Sequence, residues 1–140
     1  MTPEVLANLH AAAFHSERAW SAKEFADLLN SPLCHLTTAS QGFALWRAVA
    51  DEAELLTIAT HPDYQRRGIG AKLMKKWMAA ANAVAQTAFL EVAADNTAAI
   101  TLYERHNFEQ APRRRNYYTR PTTKVDALIM RARLPLPVAQ

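Results

Sequence analysis

With 140 residues, half of them hydrophobic and 21% charged, the chain has the size of one domain and can bury roughly two thirds of its unfolded surface. No apolar run reaches the ~20 residues of a membrane span, and the opening MTPEVLANLH lacks the basic-then-apolar layout of a secretory leader, so an intracellular, cytoplasmic protein with no membrane partner is expected. The single cysteine, Cys34, excludes an internal disulfide, and a net charge of +3 favours acidic partners without selecting one.

No repeat or linker divides residues 1–140, which read as one domain with a loose tail from Leu134 to Gln140. The first third reads as helix. Ser21 is a plausible N-cap, and Glu24, three residues on, completes a capping box ahead of Phe25, Leu28 and Leu29. Asn30-Ser31-Pro32 ends that stretch. Three strand-like segments follow, His35 to Ala39, Phe43 to Ala50 and Ala53 to Thr60, separated by the turns Gln41-Gly42 and Asp51-Glu52. They predict a short antiparallel meander.

From Gly68 the apolar period becomes helical, with Ile69, Leu73, Trp77, Ala81 and Val84 on one stripe and Lys72, Lys75 and Lys76 on another. Thr87 to Val92 is a strand, Asp95 is the expected cap of a second helix bearing Ala99, Leu102, Tyr103 and His106, and Val125 to Ala132 is a closing strand. A meander joined to a strand-helix-strand-helix unit implies an α/β (α+β) fold with a mixed sheet and helices on its faces.

The most informative stretch is Leu55 to Gly70, LLTIATHPDYQRRGIG: a strand, a Pro-containing turn, and a basic glycine loop opening into a helix. Unpaired N–H groups at a helix start, the positive end of its dipole and glycines that admit a ligand oxygen together make an anion site able to hold a pyrophosphate. The plainer alternative is a basic helix start whose glycines serve only the turn. The five histidines fall in no paired metal spacing, and no metal is expected.

These residues resemble the GNAT acetyltransferase superfamily, whose pyrophosphate loop has the pattern Q/R-x-x-G-x-G/A; Gln65, Gly68 and Gly70 stand at its fixed positions. Its closing motif, N-x-x-A-x-x-L-Y-x-x-x-G-F, is met by Asn96, Ala99, Leu102, Tyr103 and Phe108, with Asn107 in place of glycine. Asparagine is the best substitute for glycine where a helix end turns left-handed. Within the superfamily the chain most resembles the bacterial ribosomal-protein-alanine N-acetyltransferases. That likeness spans Trp20 to Met130 and includes AWSAKEF, LEVAADN, RRRNYY and VDALIM, although Ala93 stands where that group commonly has arginine.

The resemblance implies a mostly antiparallel twisted sheet, splayed at its central strands to admit CoA, and acetyl-CoA as co-substrate. It assigns the cofactor to Ile58, Ala59 and Thr60 on the strand, to Gln65, Arg66, Arg67, Gly68, Ile69 and Gly70 in the loop, and to Asn96 and Tyr103 beyond. It makes Glu91 the general base and Tyr103 the acid that protonates the departing thiolate, with Trp20, and Tyr117 and Tyr118 in the loop after Arg115, gripping the substrate. The expected acceptor is the N-terminal α-amine of a protein, such as a ribosomal protein, or of a peptide. Alternatives stay open. Glu91 could be an ordinary strand-end carboxylate, Tyr103 a packed core tyrosine, and the Tyr117-Tyr118 pair a half-buried strand edge. A small-molecule amine is the second acceptor class. A non-catalytic module binding acyl-CoA or RNA through Arg113, Arg114 and Arg115 is a third possibility, which the presence of both Glu91 and Tyr103 argues against, so nucleic acid is not the expected partner. Nothing in the sequence fixes the oligomeric state.

Overall fold

The computed structural model describes residues 1–14, 18–111, 114–119 and 124–134, with the backbone alone described at 114–119 and 124–125. Two helices come first, α1 (Pro3–Ala13) and α2 (Ala22–Leu29). Thr2 caps α1 through a hydrogen bond from the Val5 amide, and Pro3 occupies a first-turn position where no N–H is needed. At α2 the expected capping box is formed, Ser21 Oγ accepting from the Glu24 amide at 3.1 Å and the Glu24 carboxylate accepting from the Ser21 amide at 3.0 Å.

The meander is β1 (Cys34–Ala39), β2 (Gly42–Val49) and β3 (Glu52–Thr60), antiparallel throughout. After a 3-10 turn at Pro62–Tyr64 come α3 (Ile69–Asn82), β4 (Thr87–Ala93) and α4 (Thr97–Glu104), then β5 (Glu109–Gln110), β6 (Arg114–Thr119) and β7 (Lys124–Arg133). The sheet runs β1-β2-β3-β4-β7-β5, with β6 also paired to β7. Among the described residues only β3 and β4 are parallel, because α3 carries the chain back across the sheet between them.

The sheet is covered on both faces. β2 (GFALWRAV) shows why: Ala44 and Trp46 join Leu55, Leu90, Met130 and the α3 residues Met74 and Trp77, whereas Phe43 and Leu45 join Leu6, Leu9 and Phe25 of α1 and α2. A strand buried on both faces reads as a continuous apolar run, and this one does.

Four expectations need correction. α3 stops at Asn82, so Val84 lies beyond the helix and is exposed instead of extending its buried stripe. The cap of α4 is Asn96, whose side chain accepts from the Ala99 amide at 3.3 Å, and Asp95 precedes it. Tyr117 and Tyr118, expected in a loop, lie on the β6 backbone; their side chains fall outside the described residues. Leu134 is no part of a loose tail: it is buried, and its amide donates to the Gln86 carbonyl at 3.0 Å. Residues 135–140 lie outside the described residues.

The end of α4 explains the Asn107 substitution. Asn107 has φ 71°, the Phe108 amide donates to the Tyr103 carbonyl at 3.1 Å, and the Asn107 amide donates to the Glu104 carbonyl at 3.1 Å. This pair of bonds closes a helix with a left-handed residue, a conformation asparagine tolerates better than other side chains. Phe108 then packs back on Tyr103, ring centroids 6.1 Å apart, which holds Tyr103 in place from behind.

Candidate functional site

The site begins as a failure of strand pairing. β3 and β4 are in register from Glu52/Thr87 to Leu55/Leu90, and there the ladder stops, although β3 stays paired to β2 as far as Thr60 and β4 to β7 as far as Ala93. The cause lies in the β2–β3 register, which passes from Trp46↔Leu55 to Leu45↔Thr57 and leaves Leu56 as an extra residue. A bulge bends its strand and increases its twist. Its effect on facing is visible: Ala53 and Leu55 point to the α3 side before it, Ile58 does so after it, and Ala59 joins the α1–α2 side. The two central strands therefore diverge from Leu56 and Glu91 onward.

On one side of the divergence is a cavity of about 380 Å³ whose walls include Ile58, Ala59, Thr60, Gln65, Arg66 and Tyr103. Backbone groups dominate its chemistry. Beyond Leu55, β3 has no ladder partner on its β4 side among the described residues. At the mouth, Arg66 (φ 65°) and Gly68 (φ 80°) both adopt left-handed backbone, a geometry that turns consecutive amides into a concave anion nest. A Cβ at Gly68 would meet no atom within 4 Å, so glycine is required there by the dihedral and not by crowding. Gly68 is the N-cap of α3 and supplies no side-chain cap, in contrast to Thr2, Ser21 and Asn96 at the other helix starts. The first-turn amides of α3 are thus left for a ligand.

The loop is tied down at two points. The Gln65 side-chain amide donates to the Thr60 carbonyl at 3.2 Å, and the Arg67 guanidinium lies over the Tyr64 ring at 5.2 Å. Gly70 also matters for packing: a Cβ there would meet Leu102 of α4 at 3.3 Å, so its bareness lets α3 and α4 approach.

On the other side is a smaller cavity of about 190 Å³, where Leu55 to Ile58 and Leu90 to Ala93 part and the segment around α1 closes over them. Half-buried Glu91 lies on its wall together with Trp20. Phe14, Ile58, Asn96 and Tyr103 border both cavities. Tyr103 is 7% exposed and stands where the two meet.

Three residues of the second cavity, His10, Phe14 and Thr57, escape a reading of the sequence. The His10 ring stacks on Trp20 (centroids 5.0 Å, planes 23° apart), approaches Phe14 at 4.5 Å, and accepts the Trp20 amide on Nδ1 at 3.2 Å. Burial, and then the Arg18 charge, push its pKa down to about 4 against an opposing pull from Glu24. The only sequence signal was His10 in register with Leu6 on the buried stripe of α1.

The residues present fit acetyl-CoA at the first cavity. A nest and an uncapped helix start suit a pyrophosphate, and an open strand edge suits the amide-bearing pantetheine arm, which can add to it as a strand would. Arg66, Gly68, Ile69 and Gly70 would hold the former, and Ile58, Ala59 and Thr60 the latter.

Comparison with known proteins agrees. A family model described as the acetyltransferase (GNAT) family matches residues 6–108. The [ribosomal protein bS18]-alanine N-acetyltransferase of Escherichia coli K12 is 40% identical over 130 residues, covering 85% of this chain and 87% of that protein. The N-alpha-acetyltransferase RimI of Mycobacterium tuberculosis is 34% identical over 134 residues, 89% of this chain and 82% of its own length. The crystal structure of the Escherichia coli ribosomal-protein-S18-alanine N-acetyltransferase superposes with a TM-score of 0.85 at 33% identity, covering 99% of this chain and 91% of that one. The chain therefore belongs to the GNAT family, as an N-acetyltransferase that uses acetyl-CoA.

Proposed function

We propose that this enzyme acetylates the N-terminal α-amine of a protein, with a ribosomal protein as the favoured acceptor, in the cytoplasm and within one domain spanning residues 1–140. The observation that carries this is the meeting of two unequal cavities at Tyr103, one rich in backbone donors and strand edge, the other lined by Glu91, Trp20 and His10. A thioester and an amine need opposite surroundings and a common boundary. The relatives named for N-terminal protein acetylation support the acceptor class. No described helix is long and apolar enough to cross a membrane.

Acetyl-CoA supplies an activated acetyl group on a thiol leaving group. The chain's own residues do the rest. Glu91, on the acceptor side, takes a proton from the incoming ammonium directly or through a water, because only the neutral amine is nucleophilic. Tyr103, at the boundary, returns a proton to the leaving sulfur; a phenol with a reference pKa of about 10 stays protonated where a thiol of about 8.5 is the base to be satisfied. Trp20 forms the wall against which the chain end lies, and the β6 segment carrying Tyr117 and Tyr118 belongs to the same grip. Asn96 acts by capping α4, so its share in cofactor binding is to fix the helix that carries Tyr103.

Proton arithmetic favours an α-amine. With reference pKa values of about 7.8 and 10.4, roughly a third of an α-amine but about 0.1% of a lysine is neutral at pH 7.5. One carboxylate is an adequate base for the first. The test is mass spectrometry of two matched peptides after incubation with enzyme and acetyl-CoA: one with a free alanine N-terminus and a blocked lysine, the other with the reverse. Acetylation is expected on the first. Equal or greater acetylation of the second at pH 7.5 would overturn the acceptor assignment.

A further inference from the structure

Two polar side chains on the wall of the smaller cavity are buried without a full set of partners. His10 is 3% exposed and Thr57 is 8% exposed, the two buried polar residues of the described core. His10 Nδ1 accepts from a backbone amide, which can only donate, so the ring proton of the neutral histidine sits on Nε2. That N–H has no hydrogen-bond partner among the described residues, and neither does the Thr57 hydroxyl. Native proteins rarely bury donors unpaired, and two such donors lining one cavity suit a ligand that brings an acceptor atom into it.

We propose that His10 and Thr57 form a substrate-binding pair that takes the first carbonyl oxygen of the acceptor chain. The proposal rests on the N-terminal reading given above and sharpens it. An N-terminal residue carries a carbonyl on the carbon next to the one bearing its amine; a lysine side chain or a simple alkyl amine carries none. Two donors shared by that oxygen would recognise the chemistry of a chain end, whatever its first side chain, within the cavity that Glu91 also lines. The environment keeps His10 suited to the task. Burial, and then the Arg18 charge, hold the ring neutral against Glu24, and the aromatic rings of Phe14, Trp20 and Phe25 pack around it.

The test uses two peptides with the same free N-terminal residue, one with a normal first peptide bond and one with an (E)-alkene in its place, which keeps the shape and deletes the oxygen. Wild-type enzyme, His10→Phe and Thr57→Val are compared by kcat/KM on each. The intrinsic difference between the two amines is common to all three enzymes and cancels. His10→Phe is expected to lower kcat/KM on the amide peptide about tenfold and Thr57→Val about threefold, the loss of one hydrogen bond each, with the alkene peptide changed by less than about twofold. An unchanged amide-to-alkene ratio in both variants, or equal losses on the two peptides, overturns the proposal, since His10 would then merely support the wall. A CoA-induced thermal shift verifies that each variant is folded; if His10→Phe fails to fold, the isosteric Thr57→Val alone decides. Wild-type enzyme that binds CoA but acetylates neither peptide would instead count against the N-terminal reading itself.

Discussion

The two cavities that meet at Tyr103 are built from different material. The larger one is a backbone construction: an unpaired strand edge, two left-handed residues and a helix start without a cap, contributed by the continuous segment from Ile58 to Gly70. The smaller one is a side-chain construction, assembled from α1, the segment before α2, the bulged part of β3 and the end of β4. A backbone site suits a ligand that does not vary, as the cofactor proposed for it does not, and tolerates substitution of side chains that point away from it. A side-chain site can be retuned residue by residue. The difference predicts that single substitutions should separate the two functions cleanly.

The largest effect should come from the smaller cavity's carboxylate and from the tyrosine where the two meet. Glu91→Gln and Tyr103→Phe should each lower turnover by ~10² to 10⁴-fold, the usual worth of a general base or acid, with CoA affinity changed far less. Steady-state kinetics with calorimetric CoA titration measures both. Full turnover of both variants at saturating substrates would remove them from the chemistry.

The side-chain cavity should also be the one that fails in acid. The His10 pKa falls from its ordinary 6.5 to about 4, burial being the first cause and Arg18 the second. The unfolded chain takes up a proton below pH 6.5 while the folded one refuses it until near pH 4, so this group leaves stability unchanged above pH 6.5 and erodes it progressively between the two values. Glu24, held down to about 2 by its hydrogen bonds from Arg18 and Ser21, adds a separate loss only below its ordinary 4.5. Urea midpoints at pH 7.5, 5.5 and 4.5 should fall for the wild type, and less steeply for His10→Phe. Parallel curves would show that His10 titrates normally.

The same contrast explains what the sequence disclosed. The glycine loop opening into α3 was legible because such a feature is local: Gln65, Gly68 and the helix that follows stand together, and their conformations follow from residue type. The capping box at Ser21 and the left-handed Asn107 were legible for the same reason. The bulge at Leu56 was not, because Leu55 to Ile58 alternates acceptably as a plain strand and the extra residue is defined only against β2. His10 was hidden by distance; nothing local marks a histidine ten residues before Trp20 as the group that holds its amide. Asp95 and Asn96 are both good caps, and the one-residue choice was settled by where β4 ends.

Gly68 offers the sharpest test of the backbone side. Its φ of 80° costs any L side chain roughly 1–2 kcal/mol, although nothing lies within 4 Å of a Cβ there. In Gly68→Ala the free loop is expected to relax out of this geometry and must regain it to bind, so CoA should weaken by up to about tenfold, since 1.4 kcal/mol is a factor of ten, while the preference among acceptor peptides stays unaltered. Gly70→Ala should act differently, through the Leu102 side chain its methyl group would meet at 3.3 Å, and appear as a modest loss of thermal stability. A change of peptide preference in Gly68→Ala would mean that the two cavities are coupled.

The smallest effect concerns the support behind Trp20. Ser21 follows it directly, caps α2, and shares Glu24 with Arg18, whose guanidinium donates to the two carboxylate oxygens at 2.7 and 2.9 Å. Removing the cap leaves the Glu24 amide without its acceptor, at a cost of about 1 kcal/mol, or about 4 °C of Tm for a chain of this size. Removing Arg18 deletes only an exposed ion pair, and such pairs contribute about 0–1 kcal/mol. Ser21→Ala should therefore lose more stability than Arg18→Ala. Because the Trp20 amide is held independently by His10, both variants should keep the wild-type KM for the acceptor peptide within about twofold, less than one hydrogen bond is worth. Differential scanning fluorimetry and peptide kinetics on the two variants give the answer. A rise in acceptor KM that tracks the loss of stability would shift the positioning of Trp20 from His10 to the start of α2.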